Sequence, residues 1–197
     1  DHPENDNNAI LQNIVDRPFH FEALFQHTFN FSGRWIIIFS DKDGVLLFND
    51  PCGLRSVYYS SLFSAPFYCA SQPGIIAEFR DAQYKKEAQK DFFKTSAFLK
   101  NVEYWWPSGT SLYEGIEHLT PNHFLDLKNK KVRRFWPERK IVPIPLDYGI
   151  EKASDLLKNS MNAAFEKFKL ALPITAGIDS RTILSATKDI SEDVYYY

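Results

Sequence analysis

Pro173-Ile174-Thr175-Ala176-Gly177-Ile178-Asp179-Ser180-Arg181 is the stretch on which the reading of the fold turns. The apolar run Leu170 to Thr175 reads as a buried strand that ends in a turn of small residues. A helix over about Arg181 to Lys188 and a second strand at Tyr195 to Tyr197 follow, which makes this the opening of a parallel βαβ unit. Such a turn presents successive backbone N–H groups at a helix N-terminus, and those suit a phosphate chain. Thr175 and Ser180 add hydroxyl donors. Asp179 would repel phosphate unless a divalent cation lay between them, which points to Mg2+. The same residues also fit an ordinary strand-turn-helix corner with Asp179 or Ser180 as the N-cap, and spacing alone leaves both readings open.

Working upstream, Ile150, Ala153, Leu157, Ala164 and Phe168 share one helical face. Before them the stretch Pro137 to Pro145, with its three prolines, reads as a linker. Arg34 to Ser40 is β-branched and aromatic, Asp41-Lys42-Asp43-Gly44 is a hairpin turn, and Val45 to Phe48 returns. Val57 to Ser60 and Phe67 to Ala70 are short strands, while Gly74 to Arg80 and Lys86 to Lys100 are helical. His123 to Leu127 and Val132 to Trp136 flank Asn129-Lys130-Lys131 as a second hairpin. In Asn8 to Phe29, Ile10, Leu11, Ile14, Phe21, Leu24 and Phe25 keep helical spacing, and Pro18 divides the stretch into two helices. The expected organisation is an α+β domain over 1–137, a linker over 138–146 and the start of an α/β domain over 147–197.

Composition bounds the function. With 197 residues, 44% hydrophobic and 16% aromatic, the chain can bury a sizeable core. A net charge of −2 gives no broad field for nucleic acid or an anionic membrane surface, and no apolar run approaches the roughly 20 residues that span a bilayer. Cys52 and Cys69 have no metal-ligand or redox spacing, so a reducing cytoplasm is the expected compartment. Cys52 stands in a Pro-Cys-Gly turn without a base nearby in sequence, and a free cysteine of this kind is expected to be a small buried hydrophobe. His118 and His123 lack a third ligand for a metal. Tyr104-Trp105-Trp106-Pro107 reads as packing rather than a ligand platform, and Lys128 to Lys131 with Arg133-Arg134 as solvated hairpin charge. The chain opens at Asp1-His2-Pro3-Glu4 and stops at Val194-Tyr195-Tyr196-Tyr197 inside an apparent strand, so a fragment is expected.

Thr175 to Ser180 resembles the S-G-G-x-D-S loop of the PP-loop ATP pyrophosphatases, with Thr for the first Ser and Ala for the first Gly. Leu46-Leu47-Phe48-Asn49-Asp50-Pro51-Cys52-Gly53-Leu54-Arg55-Ser56-Val57-Tyr58-Tyr59, preceded by Gly33 to Phe39, resembles the asparagine synthetase glutaminase pattern G-x-F-A-F then L-x-x-R-D-x-x-G-x-x-P-L-Y-Y. Cys69-Ala70-Ser71-Gln72 is similar to that family's A-S-E segment. Ser108 to Leu125, with Glu114-Gly115-Ile116 and Leu119-Thr120-Pro121-Asn122-His123, is similar to T-x-F-x-G-I-x-x-L-x-P-G-H-x-L. Phe135-Trp136 supplies the aromatic pair that follows. The four blocks keep the family's order over about residues 33 to 188, which is more specific than one short motif.

The resemblance implies a glutaminase-like (N-terminal-nucleophile type) domain lacking its first strands and nucleophile, then the start of a Rossmann-like PP-loop domain. It implies ATP and Mg2+ as cofactors. Thr175, Ala176, Gly177, Ile178, Asp179 and Ser180 would hold the pyrophosphate, Asp179 would hold the metal, and the end of Tyr195 to Tyr197 would border the adenine. The implied reaction is amide formation through an acyl-adenylate, from a small-molecule or peptide carboxylate and an amine or ammonia donor. A homodimer is left open. The family's glutamine-contacting charges fall on Ser32, Asn49 and Gln72, which cannot pair with an amino acid's charged groups, so glutamine hydrolysis is not expected. That erosion resembles β-lactam-synthetase-like members, which makes a β-lactam-forming or peptide-cyclising ligase one alternative and a non-catalytic scaffold another.

Overall fold

The computed structural model describes residues 7–15, 21–29, 31–42, 44–95, 99–100, 106–107 and 109–197. Contacts divide the chain into two compact units, Gly33–Lys140 and, together, Asp1–Ser32 with Ile141–Tyr197. Among the described residues no helix is long and apolar enough to cross a membrane.

The Gly33–Lys140 unit is built from antiparallel strands. β1 (Ile36–Asp41) and β2 (Gly44–Asn49) pair from Ile36 with Asn49 to Asp41 with Gly44. Gly44 closes the turn at a φ of 144, and its N–H donates to Asp41 Oδ1 at 3.0 Å. A Cβ there would stand 2.8 Å from Lys128 Cβ, so the sequence needs glycine. β3 (Tyr58–Ser60), β4 (Cys69–Ala70), β5 (Ile116–His118), β6 (His123–Asp126) and β7 (Lys131–Arg134) complete a four-stranded sheet, order β1-β2-β6-β7, and a three-stranded sheet, order β4-β3-β5. Leu47 and Leu125 of one sheet and Val57, Tyr59 and Leu119 in and beside the other form one core cluster. Each such aliphatic side chain contributes roughly 1.5–3 kcal/mol on burial. Successive residues of β3 point to opposite faces, so Tyr58 packs with Ile76 and Ala77 of α3 (Pro73–Arg80) in a second cluster. The layers are therefore sheet, sheet, helix. α4 (Lys86–Phe93) ends before the Lys100 expected from its pattern, because the Thr95 N–H and hydroxyl both turn back to the Phe92 carbonyl, at 3.0 and 2.7 Å.

In the other unit, α1 (Asn7–Val15) and α2 (Phe21–Thr28) form in the stretch expected to hold two helices. Pro18, the expected break, lies outside the described residues. α5 (Leu146–Lys167) buries no residue fully; of its expected apolar face Leu157 and Ala164 are half-buried, whereas Ile150, Ala153 and, just past the helix, Phe168 are exposed. β8 (Ala171–Leu172) and β9 (Tyr195–Tyr196) pair in parallel, joined by α6 (Ile178–Ala186) and a 3-10 turn (Lys188–Asp193). β8 is shorter than the expected Leu170 to Thr175. The hydrogen-bonded pairing reaches one rung beyond the assigned strand, Ile174 N–H to Tyr197 O at 2.8 Å.

Candidate functional site

The segment Thr175 to Ser180 leaves the carboxyl end of β8 and enters α6. Helix α6 begins three residues earlier than the expected Arg181. Its N-cap is Gly177, in extended conformation, rather than Asp179 or Ser180, so those two sit within the first turn. Ser180 Oγ donates to the Thr175 carbonyl (3.0 Å), lies 3.2 Å from the Gly177 carbonyl, and receives the Thr175 N–H (3.1 Å). Thr175 Oγ1 lies 2.9 Å from Ser180 Oγ and accepts the Gly177 N–H at 3.2 Å. Both hydroxyl oxygens are thus engaged within the loop, and the two side chains clasp it shut. A Cβ on Gly177 would lie 3.2 Å from Thr175 Oγ1, so a larger residue would press on the clasp.

With the hydroxyls engaged in the loop, the outward donors are the first-turn N–H groups of Ile178 and Asp179, which a helix leaves without intrahelical acceptors. Thr175, Ala176, Gly177, Ile178 and Asp179 are all exposed. The Asp179 carboxylate stands in the first turn with no ion pair among the described residues. Those residues contain no group of three or more His, Cys, Asp or Glu that could hold a metal. A Mg2+ at Asp179 would take one protein carboxylate and fill its remaining positions from phosphate oxygens and water, an arrangement that suits this ion. At the far end of α6, the fully buried Thr187 bonds through Oγ1 to the Tyr196 hydroxyl at 2.9 Å, which ties the helix to β9.

Ser32, Asn49 and Gln72 have different surroundings. Ser32 is exposed and belongs to the unit that includes Ile141–Tyr197. Asn49 is fully buried at the end of β2; its Nδ2 donates to the Arg55 carbonyl at 2.9 Å, while its Oδ1 has no partner among the described residues. Gln72 is the exposed N-cap of α3 and makes no capping bond. It lines a cleft of about 550 Å3 together with Arg34, Trp35, Leu54 and Arg55. The two arginines were not singled out by the sequence, where they stand apart among unrelated residues.

Other candidates resolve locally. Cys52 and Cys69 are free and exposed, against the expectation of burial for Cys52, which sits in a turn, while Cys69 lies in a two-residue edge strand. His118 and His123 lie in different sheets. His118 stacks on Tyr58 with ring centroids 4.6 Å apart, and burial holds its pKa below the ordinary value; His123 Nδ1 meets Thr120 Oγ1 and the Pro121 carbonyl, both at 2.9 Å. Trp106 packs edge-on to Phe92, and Lys130 sits over the Phe63 ring. Tyr104, Trp105 and Ser108 lie outside the described residues. No protein-family model and no curated protein matches this sequence.

Proposed function

We propose that this chain carries the ATP-handling corner of an asparagine-synthetase-type carbon-nitrogen ligase. The supporting observation is the position of Thr175 to Ser180: it lies at the carboxyl end of β8 and at the N-terminus of α6, next to a parallel strand, where doubly wound folds place nucleotides. Ile178 and Asp179 direct backbone N–H groups toward a phosphate chain, and Thr175 with Ser180 keeps the loop in that shape. Mg2+, when bound, neutralises charge developing on the leaving pyrophosphate, and Asp179 is the residue that would hold it.

In this reading a carboxylate oxygen attacks the α-phosphorus of ATP, and the bond to the β-phosphate oxygen breaks to release pyrophosphate. An amine nitrogen then attacks the acyl carbon, loses a proton and expels AMP. Glutamine hydrolysis is not expected in this reading, since the interior Asn49 is out of a substrate's reach and Gln72 offers no charge for an ammonium group.

The test is product analysis with ATP, Mg2+ and a panel of amino acids and peptides, with ammonia or glutamine as donor. Substrate-dependent AMP and pyrophosphate support the ligase; ADP as product, or no turnover together with no ATP binding, moves the reading to a scaffold.

A further inference from the structure

The cleft beside Gln72 has walls that are held in place from behind. Asp50, 1% exposed, accepts three backbone N–H groups: Cys52 and Leu54 on Oδ1, at 3.2 and 2.9 Å, and Arg55 on Oδ2, at 2.9 Å. Asn49 Nδ2 takes the Arg55 carbonyl, and the Asp50 N–H takes the Trp35 carbonyl at 3.0 Å. Arg34-Trp35 and Leu54-Arg55 are thereby fixed to the same buried pair, Asn49-Asp50, and both segments face the cleft.

The charge in this cleft has one sign. None of its lining residues is acidic, and among the described residues neither Arg34 nor Arg55 forms an ion pair. Ser71 and Gln72, which also line the cleft, stand at the N-terminus of α3, where Gln72 makes no side-chain capping bond and the helix dipole is positive. Trp35, Ile36 and Leu54 add apolar lining that is partly open to solvent, with Ile36 40% and Leu54 61% exposed. An amino-acid ammonium group finds no counter-charge here, whereas an anion finds two guanidinium forks and a helix terminus.

We propose that this cleft binds a small organic anion, its carboxylate or phosphate held by Arg34 and Arg55 and its apolar body laid on Trp35, Ile36 and Leu54. The proposal stands on the Gly33–Lys140 unit alone and does not depend on the ATP reading.

Calorimetric titration of the full chain with phenyl phosphate, 3-phenylpropionate and the neutral benzyl alcohol tests it. At least one anion binds about tenfold or more tighter than the alcohol, and the pair identifies which acid group is preferred. Arg34→Gln and Arg55→Gln each weaken anion binding by about fivefold or more, in line with charge-assisted bonds at a partly exposed site, and Arg139→Gln outside the cleft changes nothing. Arg34 and Arg55 are both exposed residues, so the variants fold, which circular dichroism checks. Anions that bind no tighter than benzyl alcohol overturn the proposal. So does anion binding that survives the double arginine substitution, since that signal then arises elsewhere, including at the Thr175–Ser180 loop.

Discussion

Asp179 and Ser180 are neighbours in one helical turn, yet substitution should separate them. Asp179 is exposed and forms no ion pair among the described residues, so Asp179→Ala should leave folding intact while Mg2+-dependent AMP formation falls by about 100-fold or more. Ser180→Ala removes the acceptor of the Thr175 N–H and the partner of Thr175 Oγ1, so the loop loses its shape and the KM for ATP should rise by about tenfold, from loss of roughly one net hydrogen bond or more. Steady-state kinetics on both variants checks the split. His118 offers a test independent of ATP. Its pKa is lowered in the folded chain by burial, so the unfolded chain binds the proton more readily; stability is whole above about 6.5 and declines as pH falls below it. Urea midpoints at pH 7.5 and 5.5 should differ more for the native chain than for His118→Phe, and equal drops would rule out this histidine as the cause.

Elements were legible where a pattern ran long enough. The β1-β2 hairpin followed from β-branched residues around Asp41-Lys42-Asp43-Gly44, and the parallel β8-β9 pair from two apolar runs joined by a helical stretch. β5 was not legible, since Ile116-Glu117-His118 is too short to show a period and is held by register with β3. The α6 start was misplaced because Gly177, whose φ is an ordinary −69, caps the helix through its backbone without a side-chain bond. In the candidate site the loop could be read from its small residues, but the inward clasp and the pairing of Arg34 with Arg55 in one cleft could not, because both are set by folding rather than by spacing. The Asn49-Asp50 corner gives the element-scale prediction. Asp50→Ala strands three backbone donors and should destabilise the Gly33–Lys140 unit by about 2–4 kcal/mol. Gly53→Ala, at a φ of 65 and with its Cβ 2.8 Å from Pro121 Cγ, should cost about 1–2 kcal/mol. Chemical denaturation followed by tryptophan fluorescence measures both.

For the whole molecule the division at Lys140 has a consequence that proteolysis can read. Glu138 to Ile144 is exposed and free of helix or strand, so limited trypsin digestion should cut first after Arg139 or Lys140. First cuts inside β7, after Lys131 or Arg133, would contradict the division. Hydrogen exchange should be slowest at Leu47, Phe48, Tyr59 and Leu125, which lie in paired, buried strands, and faster across Thr175 to Ser180 and along α5, which has no buried residue. Uniform protection would mean that α5 and the loop are covered in solution.

The turn between β6 and β7 also bears on how the protein ages. Asp126 holds Asn129 at two points, with the backbone N–H on Oδ1 at 2.9 Å and the side-chain amide on Oδ2 at 2.8 Å. Deamidation needs that amide carbon to swing toward the Lys130 nitrogen and close a succinimide ring, and the swing breaks the bond to Asp126. Asn129 is thus a slow clock in the folded chain, and Asp126→Ala should start it, visible as a faster gain of one mass unit in the peptide that contains it.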